Sequence, residues 1–185
     1  MLDRIRLLVL DVDGVLTDGR IVYDSAGAET KAFSAADGQG IKYWLRAGYH
    51  AAILSGRDSE AVGRRADELG IQLVRTGAKD KLPAFEELLE AAGCTADETC
   101  DVGDDLPDIP VMARAGLAVA VPAAPEAVRR LAHYVTRAGG GAGAVRETIE
   151  LLLVYQDRWQ DVTQRYEAVL PGHLPGARRP WRARP

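Results

Sequence analysis

The fold is decided by the stretch Leu7-Leu-Val-Leu-Asp11-Val-Asp13-Gly14-Val-Leu-Thr17-Asp18-Gly19. Its four consecutive apolar residues predict a buried strand, and two carboxylates spaced two residues apart follow directly. Gly14 permits a sharp turn after them. Ligands of an open α/β sheet bind beyond the carboxyl ends of its strands, so this pattern predicts an acidic site at that edge.

Outward from this stretch, short β-type runs alternate with helical patterns as far as about residue 150. The predicted strands are Arg6–Leu10, Ala51–Leu54, Gln72–Val74, Thr99–Val102, Ala118–Val121 and Tyr134–Val135. The predicted helices are Gly40–Ala47, Glu60–Leu69, Leu82–Ala92 and Pro125–Leu131. This alternation predicts an α/β, Rossmann-like parallel sheet with helices on both faces.

Two segments depart from the alternation. Arg20–Tyr23 and Thr30–Phe33 flank a turn at Asp24–Gly27, which predicts a β-hairpin over about residues 19–33 that projects from the sheet edge. After a glycine-rich connector, Val145–Arg165 is predicted to form one long helix. We expect a main domain over residues 1–154, a helical extension over 155–170 and a disordered Arg/Pro-rich tail over 171–185.

The helical extension carries an apolar seam. Its members are Tyr155, Trp159, Val162, Tyr166 and Val169, at the spacing of one helix face. The seam either covers the domain's own surface or contacts a second subunit.

The composition excludes several classes of protein. With 185 residues, 47% of them hydrophobic and 27% charged, the chain suits one soluble globular domain. The net charge of −4 offers no general attraction for nucleic acid. Apolar runs are far shorter than the ~20 residues of a membrane span, and the N-terminus lacks a cleavage site, so we expect a cytoplasmic protein. Cys94 and Cys100 have no metal-ligand spacing and are interpreted as packing residues.

Three further motifs follow predicted strands or open a predicted helix. Ser55-Gly56-Arg57 places a hydroxyl and backbone amides at a strand end, where they can bind phosphoryl oxygens. Lys81 opens a helix and can neutralise a phosphoryl group; Lys79 is the weaker candidate. Gly103-Asp104-Asp105 adds carboxylate oxygens, the ligands that Mg²⁺ prefers.

Together, DxDGxxxD and these three motifs resemble the haloacid dehalogenase superfamily of phosphotransferases. The resemblance implies that Asp11 is the nucleophile and that Asp13 is the general acid and base. It also implies a Mg²⁺ ion held by the Asp11 carboxylate, the Asp13 backbone carbonyl and Asp104, with Asp105 supporting these ligands. Ser55 and Lys81 would complete the catalytic set.

The intervals between Asp13 and Ser55 and between Ser55 and Lys81 are too short to hold a cap domain. The chain therefore resembles the capless subgroup, and over Ile5–Leu153 it resembles the 3-deoxy-D-manno-octulosonate 8-phosphate phosphatases. The segments that carry this resemblance are KAFSAADGQGIK, LSGRDSEAVGRRADELGI, VGDDLPDIPVMARAGLAVAV and YVTRAGGGAGAVRE. It implies a homotetramer in which the hairpin and tail of one subunit help close the active site of another.

The same resemblance implies the substrate, a sugar acid phosphate, and its contacts. Besides Asp13 and Lys81, these would be Ser34, Ala35, Ala36, Asp37, Gly38, Lys42, Gly56, Arg57 and Arg65. Arg57 is the candidate for an anionic end of the sugar. Lys42 and Arg65 lie on helical segments, where basic side chains also commonly extend into water.

Three alternatives stay open. A related phosphatase acts on a nine-carbon keto sugar acid 9-phosphate, but it has an acidic residue where Arg57 stands, so Arg57 favours the eight-carbon substrate. A phospho-receiver domain needs its phosphorylated Asp on an internal strand and its acidic pair earlier in the chain, whereas here Asp13 follows Asp11 by two residues. It would also lack a hydrolytic group such as Asp13. A non-catalytic scaffold subunit has no need of catalytic residues, whereas this chain keeps five catalytic positions intact.

Overall fold

A computed structural model describes residues 2–167 of the chain. The strands are β1 Leu7–Leu10, β2 Val22–Tyr23, β3 Glu29–Thr30, β4 His50–Leu54, β5 Leu73–Arg75, β6 Thr99–Gly103, β7 Leu117–Ala120 and β8 Tyr134–Val135. The helices are α1 Ala35–Arg46, α2 Glu60–Leu69, α3 Lys81–Ala92, α4 Ile109–Met112, α5 Glu126–Leu131, α6 Ala144–Tyr155 and α7 Trp159–Glu167.

Six of the strands form one parallel sheet in the order β5-β4-β1-β6-β7-β8. β1 lies inside it, and its four residues are fully buried because the sheet is covered on both faces. Leu10 is paired with Ile53 of β4 and with Val102 of β6, so the carboxyl ends of these three strands are level. The residues that follow them therefore meet at one edge.

The two faces of the sheet bury separate apolar clusters. Leu7 and Val9 point to the side that α3 covers with Phe85 and Leu88. Leu8 and Leu10 point to the opposite side, where α1, α2 and α6 contribute their apolar faces. The alternation of side chains along β1 thus supplies both halves of the core, and helices on both faces are confirmed.

The hairpin is shorter than predicted. β2 and β3 pair antiparallel, with Val22 opposite Thr30 and Tyr23 opposite Glu29, so residues 31–33 lie beyond the pairing. The Asp24 carboxylate orders the turn by accepting hydrogen bonds from the amides of residues 26 and 28, each at 2.9 Å. Within residues 2–167, the intervals between motifs hold this hairpin with α1, and α2 with β5, and no cap domain.

The prediction of one long helix over Val145–Arg165 is wrong. α6 ends at Tyr155, and Asp157 adopts a positive φ of 54°, which ends the helical path before α7 begins. Gln156 caps the end of α6, and its Nε2 donates to the carbonyls of Leu2 and Ile5, each at 2.9 Å. These contacts tie the break to the N-terminus of the chain.

α7 lies against the protein's own α1. The Tyr43 ring makes edge contacts with Trp159 and Tyr166 at centroid distances of 6.2 and 6.3 Å, and Val162 is buried. Tyr155 is 52% exposed and does not share this packing. Val169 and the predicted tail at 171–185 lie outside the described residues. None of the helices within residues 2–167 is long and apolar enough to cross a membrane.

Candidate active site

The first motif forms a tight loop at the carboxyl end of β1. Asp11 follows the buried strand directly, and the chain then turns through Val12–Leu16, where Gly14 takes a φ of 104°. Only glycine adopts this conformation without strain. The buried Thr17 hydroxyl closes the turn by donating to the Val12 carbonyl (3.2 Å) and accepting from the Gly14 amide (3.4 Å). The loop is therefore held by a side chain that belongs to it.

Asp104, just beyond β6, packs against this loop. A Cβ atom at Gly14 would stand 2.0 Å from the Asp104 Oδ2 atom, so the position has no room for a side chain. Asp11, Asp104 and Asp108 each offer a carboxylate oxygen, and these atoms all lie within 4.8 Å of one another. Burial and the neighbouring Asp11 raise the pKa of Asp104 to about 8. A divalent cation relieves this crowding of like charges.

Lys81 supplies positive charge within the cluster. It is the first residue of α3, and its ammonium lies 2.8 Å from Asp11 Oδ1 and 2.5 Å from Asp108 Oδ1. The side chain is only 6% exposed. Burial alone would lower its pKa, but the two carboxylates outweigh burial and raise it, so the ammonium stays charged.

Asp108 is not among the predicted site residues, yet it organises the cluster. Its Oδ2 atom accepts hydrogen bonds from the amides of Asp104 (2.9 Å) and Asp105 (3.1 Å), while Oδ1 accepts one from Lys81. Asp105, in contrast, is exposed and caps the following short turn. The sequence signal for Asp108 was its position four residues after Asp104, but acidic residues there also commonly cap helices.

Ser55 reaches the same edge from β4 and is 2% exposed. Its hydroxyl oxygen accepts a hydrogen bond from the Arg57 amide at 3.3 Å, and its own amide donates to the Arg75 carbonyl at 2.8 Å. A Cβ atom at Gly56 would meet only the Ala78 carbonyl, at 3.8 Å. Gly56 is therefore not required by crowding within the residues described.

The hairpin reaches back to this edge through charged side chains. Arg57 Nη2 lies 2.6 Å from Glu29 Oε2, and Arg57 Nε lies 3.6 Å from Asp13 Oδ2. The hydrogen bond to Glu29 raises the pKa of Arg57. Lys31, which is not among the predicted site residues, contacts both Asp13 and Glu29 and has a side chain only 1% exposed. The hairpin is thus linked to the acidic loop by two cations.

The predicted substrate segment Ser34–Gly38 forms the start of α1, which begins five residues before the predicted helix. Ser34 caps the helix by accepting a hydrogen bond from the Asp37 amide at 3.3 Å. Arg65 donates to the Ser34 carbonyl at 3.1 Å and lies where a Cβ atom on Gly38 would approach it to 2.2 Å. The structure therefore brings Arg65 to this segment. Ala35 and Ala36 are exposed there, and Lys42 is half-buried.

The Asp37 carboxylate is engaged inside the protein. It is 1% exposed and accepts hydrogen bonds from the amides of Arg146 (2.7 Å) and Gly143 (3.2 Å) at the start of α6. Burial raises its pKa. These bonds fix the N-terminal end of α6 to the start of α1.

The glycine-rich connector packs on the catalytic loop. The Gly141 amide donates to the Val15 carbonyl at 2.9 Å, and a Cβ atom on Gly140 would stand 1.7 Å from the Gly14 carbonyl oxygen. Close backbone contact therefore explains the glycines at positions 140 and 141.

Comparison with known proteins shows the family of the chain. Residues 73–145 match the family model of haloacid dehalogenase-like hydrolases. The chain is 45% identical over 159 residues to the 3-deoxy-D-manno-octulosonate 8-phosphate phosphatase of Yersinia pestis, covering 86% of this chain and 85% of the relative. The chain belongs to the 3-deoxy-D-manno-octulosonate 8-phosphate phosphatase family.

Solved structures of the 3-deoxy-D-manno-octulosonate 8-phosphate phosphatase family share this fold. The Moraxella catarrhalis enzyme, in complex with magnesium ion, phosphate ion and KDO molecule, is 41% identical and has a TM-score of 0.87 over 89% of this chain and 95% of its own. The cobalt-bound Haemophilus influenzae enzyme is 39% identical, with a TM-score of 0.85 over 90% and 98%. The predicted fold and family are confirmed. The roles assigned to individual residues stay predictions.

Proposed function

We propose that the protein hydrolyses 3-deoxy-D-manno-octulosonate 8-phosphate to the free sugar acid and phosphate, a step of lipopolysaccharide precursor synthesis. The observation that carries this proposal is the meeting of Asp11, Asp104 and Lys81 at the carboxyl edge of the sheet. The 45% identity to the Yersinia pestis phosphatase supports the choice of substrate. Enzymes accelerate the hydrolysis of phosphate monoesters by up to ~10²¹, which demands several groups acting on one phosphoryl group.

The chemistry divides between Asp11 and Asp13. The Asp11 carboxylate attacks phosphorus in line and forms an aspartyl-phosphate, while the bond from phosphorus to the sugar oxygen breaks. The Asp13 carboxyl group gives its proton to that oxygen. In the second half, Asp13 takes a proton from water as the water oxygen attacks phosphorus and releases Asp11.

Lys81 and Ser55 act on the phosphoryl oxygens. The Lys81 ammonium is held in place by Asp11 and Asp108, so it needs no reorganisation to meet developing negative charge. The Ser55 hydroxyl, buried at the end of β4, is a hydrogen-bond donor for the same group.

Asp11, Asp104 and the Asp13 backbone carbonyl would hold Mg²⁺. The residues fit, because the donor set is all oxygen and the carboxylates of Asp11 and Asp104 have oxygens within 4.8 Å of each other. Asp108 accepts hydrogen bonds at both oxygens from Lys81 and from backbone amides of the Asp104 loop, so its role is to orient the site. When bound, Mg²⁺ supplies positive charge to the phosphoryl oxygens.

The remaining substrate contacts would come from Arg57, Arg65, Lys42 and the backbone of Ser34–Gly38 and Gly56. Arg57 is 46% exposed at its side chain, next to Asp13, and can bind a carboxylate of the sugar acid. Because the nine-carbon keto sugar acid 9-phosphate phosphatase has an acidic residue at this position, the presence of Arg57 favours the eight-carbon substrate.

We expect the working unit to be a cytoplasmic homotetramer. The hairpin exposes the neighbouring side chains Ile21 (39%), Val22 (51%) and Tyr23 (59%), a cluster that a subunit contact would bury. Without a cap domain, cover for the site would come from another copy of the chain.

The direct test is a substrate panel with and without Mg²⁺. Phosphate release should be fastest from 3-deoxy-D-manno-octulosonate 8-phosphate, should stop when the metal is chelated and should be lost in Asp11→Asn. A preference for the nine-carbon 9-phosphate would reject the substrate assignment, and full activity of Asp11→Asn would reject the mechanism.

A further inference from the structure

The hairpin places a buried lysine against the proposed general acid and base. The Lys31 side chain is 1% exposed although it lies just beyond the short strand β3. Its Nζ atom donates to Asp13 Oδ1 and lies 3.1 Å from Glu29 Oε1. Burying an ammonium costs free energy unless it is paired with carboxylates, so the two contacts explain why this lysine is stable in the interior.

The two oxygens of Asp13 therefore differ. Oδ1 is held by Lys31, whereas Oδ2 is buried and has no hydrogen-bond partner among residues 2–167. The Arg57 guanidinium approaches Oδ2, with its Nε atom 3.6 Å away. A buried carboxylate oxygen that lacks a hydrogen bond is costly, and such atoms are found where a ligand completes the site.

We propose that Lys31 is a positioning residue: it fixes Oδ1 of Asp13 so that Oδ2 is the atom that exchanges a proton with the leaving oxygen and with water. This inference rests on the proposed phosphatase function. Lys31 itself does not touch the reacting atoms. Proton transfer needs the donor and acceptor atoms within hydrogen-bond reach, so rotation of an unheld carboxylate would slow the step.

Glu29 connects Lys31 to Arg57. Its Oε1 side lies near Lys31 and its Oε2 accepts from Arg57 at 2.6 Å, so cations and carboxylates alternate from Asp13 through Lys31 and Glu29 to Arg57. The hydrogen bond from Arg57 lowers the pKa of Glu29 more than any other contact does. The hairpin is thus connected to the chemistry by charge pairs, and its position sets the orientation of Asp13.

The effect of losing Lys31 on the reaction rate should depend on the leaving group. In the first half-reaction the phosphorus–oxygen bond breaks and the electron pair goes to the leaving oxygen. A sugar alkoxide needs the Asp13 proton at that moment, whereas p-nitrophenolate is stable enough to depart without it. Loss of Lys31 should therefore slow only the reaction of the sugar phosphate.

The experiment measures single-turnover release of each leaving group, with enzyme in excess over substrate and Mg²⁺ present. In Lys31→Met, release of the sugar acid from its 8-phosphate should fall about tenfold to a hundredfold, a share of the usual general-acid contribution. Release of p-nitrophenolate should change less than about threefold. Lys31→Arg should restore part of the sugar reaction, because a guanidinium can still donate to Oδ1.

Two controls separate positioning from charge balance and from loss of fold. Arg64→Met removes an exposed cation from α2 and should leave both rates unchanged. The double variant Glu29→Gln with Lys31→Met restores the local net charge but leaves Oδ1 unheld, so it should stay slow on the sugar phosphate. An equal loss with both leaving groups, no loss in Lys31→Met, or recovery in the double variant would overturn the inference.

Failure of the proposed function looks different in the same experiment. If the unsubstituted enzyme releases p-nitrophenolate but not the sugar acid, the substrate assignment is wrong, and the comparison is made with the best alkyl phosphate of the panel. An enzyme that releases neither leaving group is not a phosphatase, and that result would overturn the function and the inference together.

Discussion

Lys81 Nζ lies 2.5 Å from Asp108 Oδ1, and this contact joins α3 to the loop that carries Asp104. Asp108 → Asn would keep the shape but remove the charge that helps to hold the Lys81 ammonium. We expect kcat to fall about tenfold or more, because the buried Lys81 ammonium would keep Asp11 but lose one of its two carboxylate partners. Steady-state phosphate release measures this effect.

Asp105→Asn is the matched comparison for this variant, because Asp105 lies in the same loop but is exposed. It should cost much less activity than Asp108→Asn. If the two variants lose activity to the same extent, the ion pair between Lys81 and Asp108 is not what organises the site.

Replacing Gly14 should disrupt the metal site. In Gly14→Ala the new Cβ would meet Asp104 Oδ2 at 2.0 Å, and the φ of 104° would also be strained. We expect activity to fall by more than about tenfold, and stability to drop by about 1 to 3 kcal/mol. Mg²⁺ titration of activity, combined with urea unfolding, separates the two effects.

Gly48→Ala controls for backbone strain alone. Gly48 has a φ of 88°, and a Cβ atom there would have nothing within 4 Å. The variant should lose stability but keep its Mg²⁺ requirement and kcat. Equal losses of activity in the two alanine variants would show that contact with Asp104 is unimportant.

Crowded carboxylates should make the metal-free protein less stable than it is with Mg²⁺. The pKa of Asp104, raised to about 8 by burial and by Asp11, means that its charge is disfavoured in the folded state. Without Mg²⁺, Asp104→Asn should therefore melt at a higher temperature than the unsubstituted protein. Mg²⁺ should raise the melting temperature of the unsubstituted protein more than that of Asp104→Asn, since a ligand at 100 times its Kd adds about 2.7 kcal/mol. Thermal melts with and without chelator test both effects; a lower melting temperature of metal-free Asp104→Asn would contradict the prediction.

The sequence predicts the parts of this site that are local. Asp11, Ser55 and Asp104 each follow a strand, so strand prediction alone places them at one edge. Lys31 could not be predicted as a site residue, because its contact with Asp13 spans 18 positions and depends on how the hairpin folds back. Asp108 could not be predicted either, because its spacing is equally typical of a helix cap.

The break after α6 has a similar origin. The periodicity of the segment continues through residues 156–158, and the sequence itself contains no Gly or Pro there. Contacts of Gln156 with Leu2 and Ile5, at the opposite end of the chain, accompany the change of direction. Helix propensity is a weak determinant when such tertiary contacts compete with it.

Glu147 should make the protein sensitive to acid. It accepts hydrogen bonds from the Tyr134 hydroxyl (2.5 Å) and from the amides of Ala138 (2.9 Å) and Arg137 (3.1 Å), which hold the strand β8 and the glycine-rich connector on α6. Burial alone would raise its pKa, but these hydrogen bonds together lower it from the ordinary value of 4.5. A lowered pKa in the folded state means that the unfolded chain binds the proton more tightly.

The stability contributed by Glu147 is thus present above pH 4.5 and is lost as the pH falls through the lower pKa of the folded state. In Glu147→Gln an amide NH₂ group faces backbone donors, so we expect a loss of about 1 to 3 kcal/mol at pH 7. Urea unfolding should show the difference between the two proteins shrinking as the pH is lowered below 4.5. Glu150→Gln, on the same helix and paired with Arg146, controls for removing one charge from α6. A difference that stays constant down to low pH would mean that these hydrogen bonds do not depend on the ionised carboxylate.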